Sequence, residues 1–327
     1  MLTQLTVSGF GCITSPIRLD WSPLGRHAEH PARDDHGLAV LPIAFLIDQN
    51  RHVSEDLFSS ISLFCQFIEG KLVSEYKKSF DETFFEWYLQ NTHGEYRYRL
   101  RFEKSDIVEE SLALKRCDQD HINVIFERHA NDVQIMDSLS QELCNSLLNH
   151  RKAVLTELLK SGHPQLASIR NFFNGICWIK NRDEFMHRKP HESLSQTLYL
   201  LSLDTKATLE TSELDRLIET FSHTKNNPKN VQLIISTDNS AFLNSAKLRP
   251  DEIWIILYPR YSSPFCYSLA EFKEKDFSKV RKNLRKAYEE GLFGPINPNK
   301  HQDVNCQEAF KNSTDKASVV STGGILK

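Results

Sequence analysis

Thr197-Leu-Tyr-Leu-Leu-Ser-Leu203, Val231-Gln-Leu-Ile-Ile-Ser236 and Ile253-Trp-Ile-Ile-Leu-Tyr258 are three apolar runs of strand length bounded by polar sequence. A helical pattern over Thr211 to Thr224 separates the first two, and a short helix is expected near Phe242 before the third. Strands alternating with helices predict parallel pairing in βαβ units, so the fold class is α/β. Downstream, Phe277, Val280, Leu284 and Tyr288 make one apolar side of a helix over Phe277 to Leu292. From Pro295 onward the composition turns to Asn, Lys, Ser and Thr, which predicts a poorly ordered tail.

Upstream of the βα region the patterning changes. Pro164 to Phe173 and Leu139 to Leu159 carry helical spacing, the latter through Leu143, Leu147, Leu148, Val154, Leu155 and Leu158. Ser79 to Phe126 alternates apolar and polar residues about a His93-Gly94 turn, which predicts an antiparallel meander. Ser54 to Glu69 reads as a helix with Leu57, Ile61, Phe64, Phe67 and Ile68 inward and Ser54 or Asp56 as its cap. It follows an apolar run, Leu38 to Ile47, that predicts a buried strand. Leu2 to Val7 and Ile17 to Trp21 form a starting hairpin across Gly9, Gly11 and Pro16.

The whole chain has 327 residues, and its 40 Lys and Arg against 43 Asp and Glu leave a net charge of -3. With 40% hydrophobic residues this is a globular composition with no global positive field to draw it onto nucleic acid. The apolar runs fall short of the roughly 20 residues that cross a bilayer. The N-terminus lacks a basic region followed by an apolar core, so a cytoplasmic location without membrane contact is expected. Seven scattered cysteines without a C-x-x-C pair suggest neither a disulfide framework nor a zinc site, and they read as buried free thiols.

Four ordered segments carry a family resemblance: Asn230-Val-Gln-Leu-Ile-Ile-Ser-Thr-Asp-Asn-Ser-Ala-Phe-Leu243, Leu248-Arg-Pro-Asp-Glu-Ile-Trp254, Tyr267-Ser-Leu-Ala-Glu-Phe272 and Gly291-Leu-Phe-Gly-Pro-Ile296. Together they resemble the end of ABC-type AAA-family ATPases of bacterial anti-phage and abortive-infection systems, grouped with the overcoming-lysogenization and SMC-like heads. The hairpin, the aromatic meander and Asn171-Phe-Phe-Asn174 extend the likeness over most of Met1 to Asn297. The resemblance implies an ABC-ATPase-head-like P-loop fold with an N-terminal antiparallel β region, a helical insert and a C-terminal parallel βαβ part. It divides residues 1–297 into an N-terminal lobe over about 1–135, an insert over about 136–180 and a C-terminal lobe over about 181–297, with 298–327 as the tail. The family's ligands are ATP and Mg²⁺.

The same resemblance locates the chemistry, and there the chain departs from it. A P-loop, G-x-x-x-x-G-K-[ST], needs glycine N–H groups around the phosphates, a lysine and a magnesium hydroxyl. Laid on this sequence it gives Asp48-Gln-Asn-Arg-His-Val-Ser-Glu55. The glycines become Asp48 and Val53, the lysine Ser54 and the hydroxyl Glu55, and only Asn50 of a common Gly-Ala-Asn remains. Two carboxylates beside a polyphosphate repel by several kcal/mol where solvent is scarce. Leu203 falls at the magnesium aspartate, Asp204 at the catalytic glutamate and Asp238 at the histidine that senses the γ-phosphate. Glu192-Ser-Leu-Ser195 is at most a remnant of the signature segment. The resemblance therefore implies a degenerate, pseudo-ATPase member, with no catalytic residue and no cofactor expected.

The function expected is a non-catalytic scaffold or regulatory subunit of an anti-phage complex, partnered by an active ATPase paralogue, a nuclease or another effector. The alternative is a remodelled nucleotide- or metal-dependent enzyme, an ATPase or nuclease acting on nucleic acid through Asp204, Asp238 or Glu55. Any nucleic-acid contact falls to a local basic helix with Lys279, Arg281, Lys282, Arg285 and Lys286; a solvated face opposite the Phe277, Val280, Leu284 and Tyr288 stripe is the plainer reading, and in a docked complex the same helix forms a rim for a protein partner. His187-Arg-Lys-Pro-His191 spaces two histidines for a metal, but Pro190 spoils the helix that would align them, and a solvated loop is the plainer reading. His27, His30 and His36 read as surface histidines, and Asp118-Gln-Asp120 reads as a turn. No metal is expected.

Overall fold

The computed structural model describes residues 1–23, 40–71, 82–104, 106–119, 121–135, 152–187, 196–203, 209–223, 225–245, 247–258, 263–271 and 283–293. Its architecture is mixed α/β with one antiparallel and one mixed sheet. The antiparallel sheet takes β1 (Leu2–Ser8), β2 (Ile17–Asp20), β4 (Phe84–Asn91), β5 (Gly94–Glu103), β6 (Asp106–Arg116), β7 (Ile122–His129) and β8 (Asp132–Ile135), in the order β2-β1-β4-β5-β6-β7-β8. The second sheet takes β3 (Ile43–Asp48), β9 (Ile176–Ile179), β10 (Leu198–Leu203), β11 (Gln232–Thr237), β12 (Ile253–Leu257) and β13 (Phe265–Ser268), in the order β13-β12-β3-β11-β10-β9. It is parallel except for β13, which runs antiparallel to β12.

Why each strand belongs where it does is written in its residues. β5 alternates strictly, with Tyr96, Tyr98, Leu100 and Phe102 inward and Arg97, Arg99 and Arg101 outward, as a strand with one covered face requires. β3, β10, β11 and β12 are buried along their whole length because helices cover both faces. Helix α1 (His52–Ile68) lies between the sheets. Its Phe64 ring is 4.8 Å from Phe85, 4.9 Å from Trp87 and 5.3 Å from Phe173, while Leu57, Phe58 and Ile61 share the same core with Leu46, Leu200 and Ile234 of the second sheet. Helices α2 (Val154–Lys160) and α3 (Ala167–Asn174) join that layer. The opposite face of the second sheet is covered by α4 (Arg182–His187) and α5 (Thr211–Ser222), and its β3–β12 part by α6 (Leu284–Glu289).

Two buried polar groups fix this layering. Gln232 of β11 reaches across to β1: its Nε2 donates to Leu2 O at 2.8 Å and its Oε1 accepts from Leu2 N at 2.6 Å. Glu110 of β6 accepts from Val154 N at 2.8 Å and Leu155 N at 2.9 Å, and from the Tyr98 hydroxyl at 2.9 Å, so it caps the start of α2.

Several sequence expectations are modified. The strand expected over Leu38 to Ile47 is Ile43–Asp48, and α1 begins at His52 rather than Ser54. Neither Ser54 nor Asp56 caps α1: Asp56 instead accepts from Cys12 N at 2.7 Å, holding the β1–β2 turn. β8, β9, α4 and the antiparallel β13 were not separated by periodicity, being only four to six residues long. Of the helix expected over Leu139 to Leu159, Val154–Lys160 is seen, and of that over Phe277 to Leu292, Leu284–Glu289. Their remaining parts lie largely outside the described residues, as do 188–191, His27, His30, His36, Glu192-Ser-Leu-Ser195 and the 298–327 tail.

Candidate functional site

Strands β9, β10 and β11 step toward β3, and the chain then crosses over β3 to place β12 on its far side. In open α/β sheets, ligands bind at such a crossover, beyond the carboxyl ends of the strands. The register brings the sequence-derived positions to that edge: Leu203 lies beside Thr237, Thr237 beside Ile47, and Asp48 beside Ile256. Asp48 and Asp238 thus occupy neighbouring strand ends, with Leu203 closing β10. Asp204 lies outside the described residues.

The loop from β3 into α1 is closed by its own carboxylate. Asp48 is 2% exposed, and its Oδ2 accepts from Ser54 N at 2.8 Å while Oδ1 accepts from Asn50 N at 3.2 Å. A helix N-terminus presents unpaired N–H groups and positive dipole to whatever lies in front of it. Here that is Asp48, six residues upstream of Ser54. Arg51 takes the left-handed φ of 61° that turns the chain into the helix, and its N–H donates to Asp48 O at 3.2 Å. Val53 and Ser54 are wholly buried, with the Ser54 hydroxyl donating to Arg51 O at 3.1 Å. Asn50 and Glu55 face outward, and Glu55 pairs with Arg51 at 3.0 Å.

From the other side α6 covers the same edge. Tyr288 is 4% exposed and packs with Ile47, Leu243 and Phe293. Burial, then the nearby Asp48 and Asp238 carboxylates, push its phenol up to about 12. Ser240, just past β11, donates to Glu289 at 2.9 Å, tying α6 to the β11 loop. Asp238 is half-buried and its Oδ1 has no partner. Cys12 lies close enough to Asp56 and Asp48 that burial and these carboxylates raise its thiol to about 12, and burial, then Glu271 and Asp48, hold the Cys266 thiol well above its ordinary value. These thiols stay protonated and unreactive at neutral pH.

The buried Asp48 carboxylate thus occupies the place in front of the α1 N-terminus, bonded to the Ser54 and Asn50 N–H groups. Among the described residues no group of three or more His, Cys, Asp or Glu could hold a metal ion. Of the basic helix, Arg285 and Lys286 are exposed and paired to Glu289 at 2.7 Å and Glu290 at 3.7 Å; Lys279, Arg281 and Lys282 lie outside the described residues. The sequence places Asp48 at the loop but shows neither its bond to Ser54 N nor Tyr288 as cover over the strand ends. The signal available was an acidic residue ending an apolar strand just before a helix with no local cap.

Among the described residues no helix is long and apolar enough to cross a membrane. No family model matches the chain, and no curated protein matches it. Among solved structures it is similar to the SMC head domain from Thermotoga maritima, at 10% identity and a TM-score of 0.34, over 82% of this chain and 98% of that one.

Proposed function

We propose that residues 1–297 form one ATPase-like unit that has lost nucleotide chemistry and serves as a non-catalytic scaffold or regulatory subunit. The observation that carries this reading is the Asp48 carboxylate seated on the Ser54 and Asn50 N–H groups at the start of α1. An anion site that the chain fills with its own side chain has no vacancy for phosphate, and displacing that carboxylate leaves it buried against a like charge. Tyr288 adds cover over the same strand ends. The setting in a cytoplasmic anti-phage complex, with an active ATPase or effector nuclease as partner, rests on the sequence resemblance alone.

The partner is tested by purifying the chain with the products of neighbouring genes and running size-exclusion chromatography. Co-elution with an ATPase or nuclease supports the scaffold reading; a strictly monomeric chain that carries no protein with it removes it. One observation favours the second reading, a remodelled metal-dependent enzyme: Asp238 Oδ1 is buried without a partner. Saturable thermal stabilisation by Mg²⁺ or Mn²⁺, abolished by Asp238→Asn, would establish that reading instead.

A further inference from the structure

We infer that the turn leading into β12 is a proton-dependent latch whose folded form keeps Glu252 uncharged. Glu252 ends the 3-10 turn Pro250–Glu252 and is 1% exposed. Its Oε2 accepts from Arg249 N at 2.9 Å, and its Oε1 is buried with no partner. The nearest cation is already matched: the Arg249 guanidinium holds Asp251 through Nε to Oδ1 at 2.8 Å and a terminal nitrogen to Oδ2 at 2.6 Å, both residues being buried. Arginine and aspartate together are neutral, so an ionised Glu252 would add an uncompensated buried charge, which proteins avoid by binding a proton.

The elements packed on this turn supply no further cation among the described residues. β3 offers only Asp48 at its far end, and β12 has no titratable group. β13 offers Cys266 and Tyr267, and the turn Leu269–Glu271 offers Glu271, whose Oε1 accepts from Ser268 N at 3.1 Å. Burial accordingly raises the Glu252 carboxyl to about 7, against the opposing pull of the Arg249 N–H and charge and with a further push from Asp251. A carboxyl raised in the folded chain contributes stability that is complete below its unfolded value near 4.5 and is lost as pH rises to about 7. The Glu252 acceptor closes the turn that starts β12, and β12 pairs with β3 and carries β13, so ionisation loosens this edge of the sheet.

The test is equilibrium denaturation of the full chain and of Glu252→Gln at steps from pH 5 to pH 8. The ratio of the two folding constants removes contributions common to both, including that of Glu110, whose buried carboxyl is also raised. The wild-type constant should fall relative to the variant by up to about tenfold per pH unit, flattening above pH 7. A ratio constant to within about twofold overturns the inference. Should Glu252→Gln not fold, hydrogen exchange on the unmodified chain decides. Protection of the β12 and β13 amides, corrected for intrinsic rates, should drop more than that of β4 and β5 between pH 5 and pH 8, and an equal response of both sets overturns it.

Discussion

Replacing Asp48 by alanine separates a structural carboxylate from an inert one. The side chain holds two N–H groups, and Ser54, which supplies the shorter bond, is wholly buried, so its donor has no water to turn to. An orphaned buried donor costs about 1–3 kcal/mol. Losing a negative charge from the front of a 17-residue helix costs up to about 2 kcal/mol more in a partly buried setting. Against these stands the relief of removing a carboxylate that is 2% exposed. Because Asp48 is hydrogen-bonded on both oxygens and faces a helix dipole, the losses should win, and we expect a net destabilisation of about 2–4 kcal/mol by urea denaturation. Asp48→Asn keeps one acceptor oxygen and should lose about half as much. A second readout is electrostatic: the Tyr288 phenol, raised by burial and then by Asp48, should titrate lower in folded Asp48→Ala by ultraviolet absorbance. Unchanged stability in the alanine variant, or an asparagine variant as stable as wild type, would refute the reasoning.

Three further outcomes follow from other contacts. Gln232→Leu leaves Leu2 N and O without their partner between the sheets and should cost about 2–4 kcal/mol, with amide exchange quickening first in β1. Gly11→Ala should destabilise by about 1–3 kcal/mol in the same assay, because Gly11 sits at φ 55° and a Cβ there would lie 2.2 Å from Asp56 Oδ2. Phe64→Ala empties the middle of the aromatic cluster and should cost about 3–5 kcal/mol, lowering the denaturation midpoint while leaving the antiparallel sheet signal of the folded state in place.

How much of this was legible in the sequence depended on whether a feature was local. Alternation in β5 and the three-four spacing of α1 reveal themselves because one face is wet and the other dry. The uninterrupted apolar runs of β10, β11 and β12 marked strands covered on both faces, and their alternation with helices gave the parallel pairing. What is long-range stayed hidden. Nothing near β3 says that it enters between β11 and β12, nearly two hundred residues away, and nothing in β13 says that it turns back antiparallel. Local sequence offers Ser54 or Asp56 as the cap of α1, whereas the carboxylate on the Ser54 and Asn50 N–H groups comes from Asp48 at the end of β3. In the sequence Tyr288 shows only as part of an apolar stripe, since its approach to Asp48 is a tertiary contact.

The most direct test of the proposed loss of nucleotide chemistry is ligand-linked stability. The full chain is titrated with ATP and Mg²⁺, and with ADP and Mn²⁺, while thermal or urea unfolding is followed. A ligand at a hundred times its Kd stabilises a folded chain by about 2.7 kcal/mol. With Asp48 seated on the N–H groups at the start of α1, no stabilisation is predicted at any nucleotide concentration in the physiological range. A saturable, magnesium-dependent stabilisation by ATP would contradict the account.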